Sequence, residues 1–86
     1  MEDGGTVSQR ALRILSEVTG DELADPEVPL YTSGLLDSLG TVTLMVEFEE
    51  AFGLTISPAE FDRRAWSTPR SLVADIERRL ARARSG

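Results

Sequence analysis

Apolar residues recur at helical spacing along nearly the whole chain, and helix start and stop signals separate the periodic segments. Thr6 and Gln9 can form a capping box before the first segment, whose apolar positions recur until Gly20 ends the pattern. Glycine and proline punctuate the segments that follow, and there is no internal repeat. The sequence therefore predicts an all-α fold.

A long loop is predicted after the first helix. Residues 21–36 contain two prolines and several apolar residues without a sustained period, which indicates a partly packed loop rather than a disordered one. Asp37 can then cap a second helix that begins at Ser38 and ends at Gly53, where glycine favours the left-handed closing position.

Two further start signals lie in the last third of the chain. Pro58, between Ser57 and Glu60, predicts a short third helix, and Pro69 after Thr68 opens a last helix that we expect to fray beyond its apolar stripe. The expected architecture is a four-helix bundle with three long helices, one short third helix and the long loop between helices one and two.

The length of 86 residues suits one compact domain. We predict a single domain over residues 1–86, with a core at about residues 7–80 and frayed termini. No apolar run is long enough to span a bilayer, and the N-terminus is acidic and polar where a secretory signal would be basic and apolar. We therefore expect no membrane span and a cytoplasmic protein.

Three residue types are absent, and their absence excludes much chemistry. The sequence contains no cysteine, no histidine and no lysine. It therefore has no thiolate nucleophile, lacks the usual general base, and has no amine for a Schiff base. We expect a protein that is not an enzyme.

Acidic residues dominate the middle of the chain. The formal net charge is −6, and no basic residue lies between Arg13 and Arg63. Such a surface repels nucleic acid and attracts a protein with a basic docking patch, although a merely solvated face is an equal alternative. Four arginines crowd the end of the last helix, where positive charge complements the helix dipole: Arg78, Arg79, Arg82 and Arg84.

The predicted second helix has two apolar faces. One carries Thr41, Leu44, Met45, Phe48 and Phe52 and is expected to enter the core. The other carries Leu39, Val42 and Val46, with Glu47, Glu49 and Glu50 beside it. A domain of this size cannot easily bury both, so we predict that the second row is a partner-binding strip with a charged rim. The alternative is that the loop of residues 21–36 covers it.

Ser38 is the candidate site of chemistry, because it lies in the first turn of this helix after a long loop. Helix N-termini favour anions, so a phosphodiester on this hydroxyl would be stabilised there. Serine is also common at helix starts for capping alone. Taken by itself, the residue leaves both interpretations open.

The segment GLLDSLGTVTLMVEFEEAFGLTIS, residues 34–57, resembles the signature of acyl and peptidyl carrier proteins. The resemblance extends over almost the whole chain and implies a four-helix acyl-carrier-like bundle. It also implies that Ser38 carries 4'-phosphopantetheine attached by a separate phosphopantetheinyl transferase, with Asp37 helping that enzyme and its metal to engage.

A second segment, EFDRRAWSTPRSLV at residues 60–73, is similar to the Phe-Asp-Arg-x-x-Trp-x-Thr-Pro pattern of D-alanyl carrier proteins. Gly40 matches the Asp-Ser-Phe-Gly-Thr of that family, while Leu39 departs from its Phe. We expect Gly40 to allow a partner, or the phosphopantetheine arm on Ser38, to approach the helix backbone closely. Trp66 is expected to anchor a loop to the core.

The resemblance implies a free-standing, monomeric carrier that holds an aminoacyl or acyl group as a thioester. An adenylating ligase would load it, and an acyltransferase or assembly-line enzyme would unload it. All basic residues are arginine, which hints at a GC-rich genome, whereas D-alanyl carriers are typical of low-GC bacteria. We therefore predict an aminoacyl carrier in antibiotic biosynthesis of the macrolactam-type polyketide class. The alternatives are a D-alanyl carrier for teichoic acids, a polyketide or fatty-acid carrier, and an unmodified acidic interaction module.

Overall fold

The computed structural model describes residues 6–57, 59 and 61–85. Within them the chain forms three α-helices, α1 (Val7–Thr19), α2 (Ser38–Phe52) and α3 (Pro69–Ser85), and one 3-10 helix (Arg63–Trp66). These residues contain no β-strand, which confirms the all-α prediction for this part of the chain. Here, too, no helix combines the length and the apolar character that crossing a membrane requires.

The ends of α1 and α2 follow the signals in the sequence. Thr6 and Gln9 form the predicted capping box, and Asp37 caps α2. Gly20 and Gly53 close the two helices at φ values of 74° and 69°, in the left-handed region that glycine adopts without steric cost. Both helices therefore begin and end where the sequence predicted.

The chain between α2 and α3 is less regular than expected. Two residues of the predicted third-helix start, Pro58 and Glu60, lie outside the described residues, as do residues 1–5 and Gly86, which we expected to fray. The helix found in this stretch is the short 3-10 helix, capped by Asp62. Beyond it, α3 continues to Ser85 through residues that were expected to fray.

The loop of residues 21–36 packs against the junction between the 3-10 helix and α3. Leu30 and Leu36 are buried. The backbone N–H of Leu30 donates to the Ser67 carbonyl at 2.8 Å, and that of Arg70 donates to the Pro26 carbonyl at 3.0 Å. The predicted partial packing is confirmed, and these bonds hold the loop on the side of the molecule where α3 begins.

The core lies where the three helices meet around Trp66, which is fully buried. Its indole makes edge-to-face contacts with Phe48 and Phe61, with ring centroids at 5.6 Å and 4.8 Å. Such aromatic pairs stabilise a fold by about 0.5–1.5 kcal/mol beyond their buried area. Trp66 thus anchors the chain between α2 and α3 to the core, as predicted.

A buried carboxylate completes this cluster. Asp75 on α3 is 6% exposed, and its Oδ2 accepts from Trp66 Nε1 and from Arg79 Nε, each at 2.8 Å. Its Oδ1 accepts from Arg78 Nη2 at 3.2 Å. At least two of the arginines near the end of α3 are therefore partners of an internal carboxylate, a role that helix-end electrostatics alone did not predict.

Stability should fall at acid pH because of Asp75. Burial opposes its ionisation, but hydrogen bonds from Arg79 and Trp66 and the charges of Arg79 and Arg78 outweigh burial, so the pKa lies below its ordinary 3.8. A lowered pKa gives stability that is present above the ordinary value and is lost as pH falls through the folded value. Urea unfolding at about pH 6 and about pH 3 should show a larger loss in the parent than in Asp75→Asn. Equal losses would mean that other carboxyl groups control acid stability.

Candidate functional site

Ser38 is the first residue of α2, and its side chain is exposed. The neighbouring Asp37 is extended at the N-cap, and its Oδ1 accepts from the Gly40 backbone N–H at 2.8 Å. Because Asp37 already supplies the cap, the Ser38 hydroxyl is not needed for it. The hydroxyl is accessible to another enzyme, and the helix dipole at this position favours a phosphate.

The first turn of α2 is fixed to the preceding loop by a short hydrogen-bonded chain. Thr41 Oγ1 donates to the Asp37 carbonyl at 2.8 Å and lies 2.8 Å from the Tyr31 hydroxyl. Because Thr41 has one hydroxyl proton and gives it to Asp37, Tyr31 donates to Thr41. The loop and the helix are therefore tied together within one turn of Ser38.

Gly40 lies in a confined place on the same turn. A Cβ at this position would lie 3.1 Å from Leu36 Cδ1 and 3.3 Å from Asp37 Oδ1, closer than ordinary van der Waals contact. The close approach to the helix backbone is thus made by this chain's own loop and cap. The sequence predicted such an approach by a partner or by the phosphopantetheine arm, and a role for Gly40 toward a partner stays a prediction.

A groove of about 210 Å³ opens beside Ser38, between α2, the loop and the 3-10 helix. It is lined by Tyr31, Ser38, Thr41, Val42, Met45, Phe61 and Arg63. The guanidinium of Arg63 lies over the Tyr31 ring, 4.1 Å from its centroid. A cation is therefore stacked in the wall of the groove in which the candidate serine lies.

The sequence did not place Tyr31 and Arg63 near Ser38. Arg63 is part of the Phe-Asp-Arg pattern, which indicated the subfamily but not a position at the site. A signal for Arg63 is that it is the first basic residue after Arg13, directly followed by Arg64, in a chain whose candidate cofactor is an anion.

In the part of the chain that the structure describes, no three acidic side chains come together as metal ligands. The features around Ser38 suit a phosphodiester-linked group. They are an exposed hydroxyl at a helix N-terminus, a groove beside it, and a guanidinium in the wall of that groove. Phosphopantetheine therefore fits this site.

The second apolar row of α2 faces solvent. Leu39, Val42 and Val46 are 75%, 55% and 47% exposed. The loop of residues 21–36 leaves them uncovered, because its apolar residues pack toward α3 and the core. This contradicts the alternative in which the loop buries the row, and the three residues are called the apolar strip below.

The three glutamates beside the apolar strip are not equivalent. Glu47 and Glu50 are exposed, whereas Glu49 is half-buried. The Oε2 of Glu49 accepts from the backbone N–H of Ile56 at 2.8 Å and so holds the chain that follows α2. Glu47 and Glu50 therefore have exposed side chains for a partner, while Glu49 also has a role inside the fold.

The model of the phosphopantetheine attachment site family matches residues 9–76 of this chain. The match spans most of the sequence and includes Ser38, so the chain belongs to the phosphopantetheine attachment site family. Proteins of this family carry 4'-phosphopantetheine covalently on a serine.

The curated relatives compared here are D-alanyl carrier proteins. The chain is similar to the D-alanyl carrier protein of Bacillus licheniformis, with 38% identity over 71 residues that cover 80% of this chain and 91% of the relative. For the D-alanyl carrier protein of Bacillus velezensis, the identity is 42% over 67 residues, which cover 76% of this chain and 86% of the relative. For the D-alanyl carrier protein of Enterococcus faecalis, the identity is 38% over 73 residues, which cover 83% of this chain and 94% of the relative. The resemblance to D-alanyl carriers is confirmed.

Proposed function

We propose that this chain carries an aminoacyl group as a thioester on a phosphopantetheine arm attached to Ser38. The observation that supports this most directly is the position of the Ser38 hydroxyl. It is exposed at the start of α2, beside a groove with a cation in its wall, and lies inside the family match. The bound arm supplies a thiol at which a carboxyl group is held as a thioester.

The chain itself contributes a tether point and a recognition surface. Asp37 and Thr41 hold the first turn of α2 in place, so that Ser38 presents the arm from a rigid position. A tether raises the effective concentration of the carried group at a docked enzyme. The chain is therefore a substrate of partner enzymes and does not itself catalyse a reaction.

The relatives favour D-alanine as the carried group, because those compared above are named D-alanyl carrier proteins. A carrier in teichoic acid D-alanylation thus has more support than a polyketide or fatty-acid carrier. The macrolactam-type pathway rests only on the arginine-only basic composition, and these relatives give it no support. Membership of the family counts against an unmodified interaction module.

The expected partners are a phosphopantetheinyl transferase, an adenylating aminoacyl ligase and an enzyme that accepts the aminoacyl group. We expect a cytoplasmic monomer that does not bind nucleic acid. Sedimentation of the purified protein tests whether it is a monomer. The 3-10 helix Arg63–Trp66 would take the place of the short third helix of a four-helix carrier bundle.

Intact mass spectrometry tests the proposal in two steps. Incubation with coenzyme A and a broad-specificity transferase should add the mass of one phosphopantetheine. A D-alanine-adenylating ligase with ATP should then add one alanyl group, and L-alanine and glycine serve as competing cargos. A chain that gains the arm but prefers another amino acid would keep the carrier role and exclude D-alanine. No gain from coenzyme A would favour the interaction module.

The apolar strip should act in partner docking. Val46→Asp places a charge where a partner would bury an apolar side chain, and we expect the transferase's kcat/KM for this carrier to fall about tenfold or more. Because Val46 is exposed, the free energy of unfolding should change by no more than about 0.5 kcal/mol. Ala24→Asp adds the same charge on the exposed loop and is the control. Equal kcat/KM values for the two variants would show that the transferase docks elsewhere.

A further inference from the structure

The surroundings of Ser38 pose an electrostatic problem for an attached phosphodiester. The adjacent residue, Asp37, has a carboxylate side chain, and no basic residue lies between Arg13 and Arg63 in the sequence. A phosphate on Ser38 therefore lies beside a like charge, which the partial positive charge of one helix N-terminus offsets only in part. A nearby cation would change this balance.

Arg63 is placed to be that cation. Among the described residues that line the groove with Ser38, it carries the positive charge. Its guanidinium lies over the ring of Tyr31, 4.1 Å from the centroid, and Tyr31 is hydrogen-bonded through Thr41 to the carbonyl of Asp37. The aromatic ring that supports the cation is thus tied to the turn that carries the serine.

Stacking leaves the guanidinium well disposed toward an anion. An arginine over an aromatic ring gains a cation–π contact and keeps N–H donors that can bind phosphate oxygens. The element that carries Arg63 is also fixed, because Asp62 caps the 3-10 helix and Trp66 at its other end is fully buried. Although Arg63 is exposed, its contact with Tyr31 means that less side-chain freedom is lost on phosphate binding than for an arginine without such a contact.

The groove suits the part of the arm that follows the phosphate. Its walls include the apolar side chains of Val42, Met45 and Phe61, and the pantoyl part of the arm carries two methyl groups. The groove's volume of about 210 Å³ is below the ~300–1,000 Å³ of pockets that enclose a whole ligand of drug size. It therefore accommodates the phosphate-proximal section and leaves the thiol end outside.

We propose that Arg63, stacked on Tyr31, is a positioning residue that binds the phosphate of the arm and directs the arm's first section into the groove beside Ser38. This rests on the proposed attachment at Ser38. The carrier then presents its cargo from a restricted set of arm positions, with the aminoacyl end in solvent.

NMR of the holo protein tests this directly, without any partner reaction. The variant is Arg63→Gln, and the control is Arg64→Gln, which removes the same charge from the next residue, whose side chain is 93% exposed. In parent and control, attachment should shift the methyl signals of Val42 and Met45, and the ³¹P signal should move when salt is added. In Arg63→Gln we expect the ratio of arm bound in the groove to free arm to fall roughly tenfold. Most of the methyl shift and most of the salt-dependent ³¹P shift should then be lost.

The outcomes separate this inference from the proposed function. Mass spectrometry first establishes that all three proteins have gained the arm. No gain in the parent would overturn the proposed function itself. Full gain with the same methyl and ³¹P shifts in Arg63→Gln as in the parent would overturn only the role of Arg63. Tyr31→Leu, which removes the supporting ring, should reproduce the Arg63→Gln spectra, and circular dichroism confirms that each variant is folded.

Discussion

Ser38→Ala is expected to abolish phosphopantetheine attachment completely and to leave the fold unchanged. The hydroxyl oxygen is the atom that would become esterified, so alanine provides no acceptor. Asp37, not Ser38, caps α2, and alanine is favourable in a helix, so the free energy of unfolding should change by no more than about 0.5 kcal/mol. Intact mass after incubation with coenzyme A and the transferase measures the first effect, and thermal melting measures the second.

Ser67→Ala is the matched control for this prediction. Ser67 is also an exposed serine next to a helix, where it ends the 3-10 helix, and it should not affect attachment. Full mass gain in Ser38→Ala would place the arm on another residue and refute the assignment of Ser38. Loss of the gain in both variants would point to damage to transferase recognition instead.

The ends of α1 and α2 could be predicted from the sequence because their signals are local. Asp37 caps α2 through its own side chain, and Gly20 and Gly53 close α1 and α2 through their own backbone angles. Helical spacing also predicted a second apolar face on α2, but it left open whether the loop of residues 21–36 covers that face, and the exposure seen in the structure depends on how the loop packs. The ends of α1 and α2 needed no information about distant residues.

The groove beside Ser38 could not be predicted in the same way. Tyr31, Ser38 and Arg63 come from a loop, a helix and a 3-10 helix, and their separations along the chain follow no period. Their meeting depends on how the loop packs against the start of α3, which is set by backbone bonds such as that from Leu30 to Ser67. Tertiary packing, rather than local preference, therefore builds this part of the site.

Asp75 is an intermediate case, because part of its hydrogen-bond network has a local signal in the sequence. It lies within the apolar stripe of α3, next to Ile76, and arginines follow it three and four residues later. A carboxylate on the buried face of a helix requires partners, and residues at those spacings are neighbours on a helix. The bond from Trp66 remained beyond prediction, since it joins two different elements.

Asp75→Ala is expected to lower the free energy of unfolding by about 3 kcal/mol. The substitution leaves the buried Trp66 N–H without its acceptor and removes the partner of Arg79, whose side chain is only 12% exposed. Arg78 contributes little to this effect, because its side chain is 61% exposed. Stabilities of such domains are on the order of 5–15 kcal/mol, so the loss is a large fraction of the total. Urea unfolding monitored by circular dichroism measures it.

Glu77→Ala is the control, since it removes the same charge from an exposed position two residues further along α3 and should change stability by no more than about 0.5 kcal/mol. Asp75→Asn separates the two contributions. It keeps an oxygen for Trp66 but no charge for Arg79, so it should recover about 1 kcal/mol, the size of one neutral hydrogen bond. If Asp75→Ala were no less stable than Glu77→Ala, the network would not hold the 3-10 helix to α3. Because that helix also carries Arg63, a fold loosened at Asp75 should lose order in the groove beside Ser38 as well.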